Sequence, residues 1–333
     1  MRKIDLSKDI YYLKKYPALY LREGEELFEF EYRDGSDRFI NLAVKRPILQ
    51  IGNLAVDDGC YDLETAYGYG GYYSTTNDPI FLDKAQRSYR QKCVDERIIA
   101  EFIRFHPYNT FPALHNGYLD FVAHDRQTVS IDISIPKNER WLGYSSTTRN
   151  ILRKATPHLT FNETEDVEEF MRLYQLTMEK NKANSFYYFS REYYEKLLAI
   201  NKVKLFKVTH ENHTINMSFV LFGDDLVHYH LSANDLSFSK LNGNYYLLDS
   251  VCDFVKLNYP KISQFHLGGG RSNLNADSLL TFKSKFSNIR NSFYIAGKIF
   301  NHAIYQQYIE ALHAIHPELI SARFFLKYRM EVV

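Results

Sequence analysis

The chain has 333 residues, of which 45% are apolar and 16% aromatic, and its 41 basic and 40 acidic side chains leave a formal net charge of +1. This composition excludes an intrinsically disordered chain, and the near-zero charge argues against a protein that captures nucleic acid through its overall field. The three cysteines are widely spaced and odd in number, which excludes a zinc motif and a disulfide framework and favours a reducing compartment. We find neither a secretory leader nor a long apolar span, and so expect a cytoplasmic protein, with peripheral contact to the inner face of the membrane left open.

The first third of the chain predicts a β-hairpin, a short strand and then a helix. Residues 27–32 and 39–44 alternate between apolar and polar side chains on either side of a turn at residues 34–37. A short strand is expected at residues 47–51. Asn77 or Asp78 can cap a helix that begins near Pro79 and runs to about Cys93. Strands are expected at residues 98–105, 118–122 and 128–134.

The rest of the chain predicts helices interspersed with strands. Helices are expected at residues 145–155, 164–180, 190–200, 244–257, 278–286 and 301–313, and strands at 203–208, 215–222, 226–231, 262–267 and 293–296. The first three of these strands are separated by short turns, which indicates an antiparallel meander. This order predicts a mixed α/β (α+β) fold, and the first part of the chain shows a looser version of it.

Residues 61–73 hold two acids, five tyrosines and three glycines, and we interpret this segment as a binding loop. Gly70 and Gly71 would let a ligand approach the backbone, and the rings of Tyr67 and Tyr69 could stack on a sugar or a base. The alternative is an aromatic surface turn whose rings only pack against the protein. We refer to residues 61–73 as the tyrosine–glycine loop.

Two acids at the start of this loop are candidate proton acceptors. Asp62 and Glu64 would share one face of a strand, so either could take the proton of an attacking ammonium group. The alternative is that both carboxylates accept hydrogen bonds from tyrosine hydroxyls or loop amides.

Basic and histidine side chains form three further candidate groups. Arg104 and His106 end a predicted strand, where Arg104 suits a phosphate or a carboxylate, although a salt bridge would explain it equally well. Arg149, Arg153 and Lys154 line a predicted helix that could meet tRNA or a nucleotide diphosphate, or could simply be solvated.

Three histidines lie in or at the ends of predicted strands: His228, His230 and His266. His228 and His230 would point to one face of a strand, but structural histidines are far commoner than ligands. We therefore predict no metal site.

Four segments, taken in order, resemble the FemABX-like proteins of the GNAT acyltransferase superfamily. Residues 62–71 are similar to their YDIETPYGYGG loop and residues 104–107 to their RFHP strand end. Residues 228–235 with 244–248 are similar to their YHLSASD and NYLL block, and residues 266–271 with 277–286 to their HLGGG and DSLFKFKKSF block. Lys327–Arg329 also fits, so that the resemblance spans roughly residues 60–330.

The resemblance implies two GNAT-like domains with a cleft between them, which we place at residues 1–144 and 145–333, each with a mixed, largely antiparallel sheet flanked by helices. Characterised members transfer amino acids from aminoacyl-tRNA to a peptidoglycan precursor, and relatives occur in surface-polysaccharide and lipid pathways. It implies an aminoacyl-tRNA or acyl-CoA donor, no tightly bound cofactor, an envelope-precursor acceptor and contact with a tRNA acceptor end. The usual acetyl-CoA loop of GNAT enzymes is not recognisable in the sequence.

The resemblance also assigns site residues. Phe282 and Lys283 match a Phe-Lys pair associated with the transferring acyl end, so Lys283 is our candidate for stabilising the carbonyl oxygen. The alternative is a solvated lysine. The backbone of Gly268, Gly269 and Gly270 could bind a carbonyl or a phosphate, or could form only a tight turn. His230 and Arg271 complete the substrate-binding candidates.

We expect direct attack of the acceptor on the donor carbonyl, since no Ser-His-Asp or Cys-His arrangement is visible. Two alternatives remain: a CoA-dependent acyltransferase acting on an amino sugar, and a non-catalytic glycan- or nucleotide-binding protein.

Overall fold

A computed structural model describes residues 4–272 and 277–330, which form two compact units. The first unit comprises Tyr11–Asp125 and the segment that begins at Phe293. The second unit comprises Arg126–Ser292 and the segment that ends at Ile10. Of the three boundaries between the units, two fall inside the strands Phe121–Asp132 and Ile289–Ile299, and one falls inside the 3-10 turn Ile10–Tyr12.

The strands are β1 (Glu26–Asp34), β2 (Asp37–Pro47), β3 (Gln50–Ile51), β4 (Leu54–Ala55), β5 (Tyr61–Glu64), β6 (Tyr73–Ser74), β7 (Ile98–Arg104), β8 (Phe121–Asp132), β9 (Thr160–Thr164), β10 (Val203–His210), β11 (His213–Phe222), β12 (Leu226–Asn234), β13 (Gln264–Gly269) and β14 (Ile289–Ile299). The helices are α1 (Pro79–Asp95), α2 (Phe111–Leu114), α3 (Lys137–Leu142), α4 (Ser146–Ala155), α5 (Val167–Lys180), α6 (Arg191–Leu198), α7 (Gly243–Asn258), α8 (Ser278–Ser284) and α9 (His302–Ile315). Single turns of 3-10 helix occur at Leu6–Lys8, Ile10–Tyr12, Pro17–Tyr20, Asn116–Tyr118, Thr156–His158, Ser185–Tyr187, Pro317–Leu319 and Lys327–Arg329, and a longer one at Leu236–Leu241.

Each unit contains the same order of elements. In the first unit β1, β2 and β5 are antiparallel neighbours, and β5 pairs in parallel with β7, which follows helix α1. In the second unit β10, β11 and β12 form the antiparallel meander, and β12 pairs in parallel with β13, which follows helix α7. Two strands in parallel need a crossover, and in each unit a helix provides it. The predicted mixed, largely antiparallel sheet flanked by helices is confirmed.

Most predicted elements are present, and their caps explain where the helices begin. Asp78 accepts hydrogen bonds from the first turn of α1, Ser145 from that of α4 and Ser190 from that of α6. Two predictions were wrong: residues 118–122 and 128–134 are not separate strands but belong largely to one strand, β8, and the expected strand at 47–51 shrinks to β3.

Strand β9 and helix α3 were missed by the sequence analysis. Strand β9 is held by pairing with β10, about 40 residues away in sequence. Helix α3 is held by Arg140, whose guanidinium donates to Asp249 on α7 at 3.0 Å. Neither contact is visible to a local pattern.

The division into homologous domains at residue 144 stays a prediction, and the compact units divide the chain elsewhere. The C-terminal segment packs with the first unit because Tyr308, Leu312 and Tyr328 share a buried cluster with Ile48. The second unit has its own core, formed mainly by β8, β10–β13 and α7 around Phe206, with Val251.

A buried carboxyl group lies in the core of the first unit. Glu101 on β7 is fully buried and accepts hydrogen bonds from the hydroxyls of Tyr72 (2.6 Å) and Tyr89 (2.7 Å) and from the amide of Asn41 (2.7 Å). Burial raises the pKa of Glu101 to about 7, although these hydrogen bonds oppose the rise.

The raised pKa predicts a pH-dependent stability. In the unfolded chain Glu101 ionises near pH 4.5, whereas in the folded chain it keeps its proton to about pH 7. The stabilisation is therefore complete below pH 4.5 and is lost as the pH rises through 7, by about 3 kcal/mol. In urea titrations, the unfolding free energy of the wild type should therefore fall by that amount relative to that of Glu101→Gln between about pH 4.5 and 7.5. Parallel pH profiles for the two proteins would contradict this assignment.

Candidate active site

Strands β12 and β13 of the second unit pair over only part of their length. Their parallel ladder runs from Leu226 and Gln264 to His228 and His266, and beyond this point both strands continue without pairing to each other. The register between β11 and β12 also shifts between Tyr229 and Ser232, which places one extra residue in β12. A bulge of this kind bends a strand and is common beside active sites. The facing edges beyond His228 are therefore available to a ligand that carries amide groups.

Lys283 lies against the end of β13. It sits on α8, its residue is 6% exposed, and its Nζ donates to the carbonyl oxygen of Gly269 at 2.8 Å. The ring of Tyr229 on β12 lies 6.0 Å from the same nitrogen. Among the described residues, Gly269 provides the single hydrogen-bond acceptor for this ammonium group, which can donate three.

Burial changes the protonation of Lys283. Desolvation lowers the pKa of Lys283 to about 7, with the opposite charge of Asp277 resisting and the like charge of Arg126 assisting. At neutral pH the side chain thus exists both as a donor cation and as a neutral amine. A group poised in this way suits proton transfer and the stabilisation of a developing oxyanion.

The glycines at the end of β13 and directly after it allow close packing around Asp277. This residue caps α8 and accepts hydrogen bonds from the backbone of Arg271 (2.9 Å), and a β-carbon on Gly270 would lie 2.5 Å from its carboxyl group. The backbone of Gly268 has φ of +76°, a conformation that favours glycine. The glycines therefore let the strand end and the cap of α8 meet, which brings Gly269 to Lys283.

Two other residues of this block take different positions. Phe282 packs edge-on against Tyr245 at 5.0 Å and belongs to the rim of the core. Arg271 is exposed, and its guanidinium donates to Asn181 at 2.9 Å, which links this loop to the segment between α5 and α6.

His230 lies at the bulge of β12 and is neutral. Burial, with a smaller contribution from the neighbouring His228, lowers the pKa of His230 to about 3. Its Nε2 lies 3.5 Å from the hydroxyl of Tyr193 on α6.

A buried row of side chains within hydrogen-bond distance lies where the parallel ladder ends, and the sequence analysis did not join its members. His228 Nε2 lies 2.9 Å from Asp9, and its Nδ1 lies 3.2 Å from Nδ1 of His266. All three residues are at most 2% exposed. Asp9 precedes His228 by 219 residues, so no local pattern could have joined them.

In the first unit, Asp62 and Glu64 belong to a network of arginines. Asp62 is fully buried and accepts hydrogen bonds from Arg46 and Arg329, each at 2.8 Å. Glu64 pairs with Arg46 and, at 2.7 Å, with Arg104. Although burial opposes it, these two arginines lower the pKa of Glu64.

A carboxylate held by two arginines, as Glu64 is, is a poor proton acceptor, because protonation would break the pairs. The network therefore gives Asp62 and Glu64 a structural role. Their partners are arginines, and not the tyrosine hydroxyls and loop amides that the alternative interpretation expected. The network also accounts for Arg104 as an ion-pair partner. Arg46 and Arg329 were missed because they come from β2 and from the C-terminal segment.

The tyrosine–glycine loop is packed by its own unit. Gly68 and Gly71 have φ of +100° and +79°, and a β-carbon on Gly71 would lie 2.7 Å from Ile103. The amide of Gly70 donates to the carbonyl of Arg104 at 2.9 Å. The room left by these glycines is thus filled by protein, which differs from the expectation of close ligand approach.

Tyr67 and Tyr69 of this loop are half-buried. Tyr69 lies edge-on to Tyr11 (5.3 Å) and to His106 (5.8 Å), and the hydroxyl of Tyr16 donates to the carbonyl of Tyr67 at 3.0 Å. His106 is itself buried, and its Nδ1 accepts from the next turn of the backbone. Their roles in binding stay predictions.

Substitution of Gly68 tests this packing. A β-carbon there would lie 2.5 Å from the ring of Tyr11, so Gly68→Ala should lower the free energy of unfolding by about 3 kcal/mol. The matched control is Gly35→Ala, since Gly35 also has positive φ but no atom near its β-carbon position, and it should cost about 1 kcal/mol. Equal losses in chemical denaturation would show that the loop is not tightly packed.

The basic helix α4 divides its cations between two roles. Arg149 donates to the carbonyl oxygens of Trp141 and Tyr144 and so holds the end of α3. Arg153 and Lys154 are exposed.

Comparison with known proteins identifies the fold. No protein-family model and no curated protein matches this sequence. The solved structure of FemX matches 91% of this chain and 94% of its own, with a TM-score of 0.70 and 14% sequence identity. The C-terminal domain of a putative lysylphosphatidylglycerol synthetase from Agrobacterium fabrum matches 96% of this chain and 95% of its own, with a TM-score of 0.53 and 12% identity. The predicted FemABX-like fold is therefore confirmed.

The helices of the described residues were also compared with the length and apolar character that a membrane span needs, and none of them meets both requirements.

Proposed function

We propose that this chain is an acyltransferase that moves an aminoacyl or acyl group onto an amine of a cell-envelope precursor. The observation that carries the proposal is Lys283, a buried lysine with a pKa near 7 beside two parallel strands that stop pairing. The fold shared with FemX supports it, as does the fold shared with a domain of a putative lysylphosphatidylglycerol synthetase.

The proposed chemistry is direct attack. The amine of the acceptor attacks the donor carbonyl, and charge develops on the carbonyl oxygen. Lys283 as a cation donates a hydrogen bond to that oxygen, from a site where Gly269 leaves its remaining N–H groups unused among the described residues. The desolvated surroundings strengthen this interaction. The ester C–O or thioester C–S bond of the donor then breaks as the amide forms, and the tRNA hydroxyl or the CoA thiol leaves. The proton of the attacking amine goes to solvent or to that leaving oxygen or sulfur, since Asp62 and Glu64 are held by arginines.

The donor is the open part of the proposal. Aminoacyl-tRNA is our first candidate. An acyl-CoA donor is the second candidate. It is supported by the edges of β12 and β13 that do not pair with each other, because the amide groups of the pantetheine arm of CoA could pair with these edges. A purified-protein assay with labelled aminoacyl-tRNAs, acetyl-CoA and longer acyl-CoAs, over a pool of sugar-nucleotide acceptors, separates the two.

The outcomes of the assay are distinct. Transfer only from CoA would remove the tRNA donor. Absence of transfer from every donor, together with thermal stabilisation by an acceptor, would favour a non-catalytic binding protein.

A further inference from the structure

A row of exposed aromatic side chains lies between α5 and α6 of the second unit. Phe186, Tyr187 and Tyr188 follow one another in sequence and are 47%, 37% and 46% exposed. Single exposed apolar residues are common on protein surfaces, whereas adjacent ones usually mark a surface that makes a contact. We call residues 184–189 the aromatic turn.

The aromatic turn is held at both of its ends. Lys182 ends α5 in the left-handed conformation, with φ of +48°, and the side chain of Asn184 then accepts a hydrogen bond from the amide of Phe186 at 2.9 Å. After the turn, the ring of Phe189 stacks on Tyr193 of α6 at 4.2 Å. Because both ends are fixed, the exposed rings between them form a defined surface.

Cations surround the aromatic turn. Lys180 and Lys182 precede it, and the guanidinium of Arg271 donates to the C-cap side chain of α5 at 2.9 Å. All three side chains are exposed, and within the described part of the chain no carboxylate forms an ion pair with them. Between the middle of α5 and the start of α6 the chain has one acid, Glu179. This surface therefore has an excess of positive charge.

The size of the surface favours a lipid layer over a folded protein partner. Three rings, each less than half exposed, offer on the order of 300 Å² of apolar surface, whereas a stable protein interface needs about 800 Å² from each partner. Aromatic rings with flanking lysines are typical of segments that rest in the interfacial layer of a membrane. The excess positive charge is complementary to anionic lipids.

We propose that the aromatic turn is a membrane-docking surface, with its three exposed rings in the interfacial layer of an anionic bilayer and the three cations against lipid phosphates. Arg271 follows the strand end at which Gly269 receives Lys283, so docking would bring this end of the second unit close to the bilayer. The inference follows from exposure and charge and does not require that the chain transfer an acyl group.

The test is sedimentation of the full chain with sucrose-loaded vesicles. Vesicles of phosphatidylcholine alone, and of phosphatidylcholine with about 30% phosphatidylglycerol, would be compared at about 50 and 200 mM NaCl. We expect the chain to sediment with the anionic vesicles, and less so at the higher salt concentration. Little of it should sediment with the neutral vesicles, since the cations contribute only against anionic headgroups.

The first variant, F186S/Y187S/Y188S, removes the rings. It should bind the anionic vesicles at least about tenfold more weakly, because the rings provide the apolar part of the contact. The control is I80S/L142S/L257S, which removes apolar side chains that are 68%, 77% and 81% exposed on other elements and should bind as the wild type does. Circular dichroism would verify that both variants are folded.

The second variant, K180Q/K182Q, removes charge and leaves the rings in place. It should bind the anionic vesicles at least about fivefold more weakly at the lower salt concentration and show a smaller dependence on salt. The control is K14Q/K261Q, which removes the same charge from exposed lysines on other elements and should bind as the wild type does.

Each result decides the proposal. Absence of wild-type binding to anionic vesicles, equal binding to neutral and anionic vesicles, or equal binding by each variant and its control overturns it. Self-association of the wild type in sedimentation velocity that is lost in F186S/Y187S/Y188S also overturns it and assigns the turn to a contact between copies of the chain. Lys283→Met should bind vesicles normally, so loss of transfer in that variant and loss of vesicle binding in the ring variant report on the two proposals separately.

Discussion

Replacing Lys283 by Met should lower kcat for acyl transfer by about 10²- to 10³-fold while making the folded chain more stable. The loss in rate follows from removal of a hydrogen-bond donor to the developing oxyanion. Met keeps the length and volume of the lysine stem, so the substitution leaves no cavity beside Tyr229. A residue with a purely structural role would not combine slower turnover with greater stability.

The gain in stability follows from the lowered pKa of Lys283. The unfolded lysine takes up its proton below about pH 10.5, whereas the folded one does so only below about 7. Between these values the unfolded chain binds more protons, so the stability of the wild type falls as the pH is lowered from 10.5 to 7, by up to about 5 kcal/mol. Met has no charge to desolvate. In denaturant titrations, the stability advantage of Lys283→Met over the wild type should therefore grow as the pH is lowered from 10.5 to 7.

Lys285 provides the control for this substitution. It lies two residues further along, is half-buried, and its Nζ lies 3.3 Å from the hydroxyl of Tyr245. Lys285→Met should leave kcat within about threefold of the wild type, as expected for a residue without contact to the reacting atoms. If Lys283→Met kept full activity at unchanged stability, Lys283 would be neither buried as a charge nor part of the chemistry.

Replacing Asp62 by Asn should destabilise the chain by about 3–5 kcal/mol. The fully buried Asp62 balances the guanidinium groups of Arg46 and Arg329, and its loss would leave Arg329 without its carboxylate and Arg46 with Glu64 alone, in a poorly hydrated site. The measurement is the free energy of unfolding from urea titration. The fraction that remains folded should keep its kcat, because the carboxylate is assigned no proton to move.

An exposed acid serves as the comparison. Glu31 pairs with Arg33 and Arg38 on the surface of the first unit, and Glu31→Gln should cost less than about 1 kcal/mol. A large fall in kcat for folded Asp62→Asn, with little loss of stability, would restore Asp62 as a catalytic base and contradict the network.

The tyrosine–glycine loop shows how far local sequence reasoning reaches. Its composition indicated an unusual backbone, and Gly68 and Gly71 do have positive φ. What fills the room beside them was not readable, because Tyr11 and Ile103 come from other parts of the chain. The same holds for Asp62, whose partner Arg329 is 267 residues away.

The sequence by itself determined the elements of this protein and their order. The alternation of the hairpin strands, the caps Asp78, Ser145 and Ser190, and the meander at residues 203–231 are local signals, because they depend on periodicity and on hydrogen bonds within a few residues. Motif similarity added the FemABX-like fold and pointed to Lys283.

Only the tertiary structure decided what the charged residues do. Burial against β13 lowers the pKa of Lys283, and arginines from β2, β7 and the C-terminal segment engage Asp62 and Glu64. Protonation and pairing depend on solvent exclusion and on which charges lie within a few ångströms, and neither quantity is encoded in the spacing of residues along the chain.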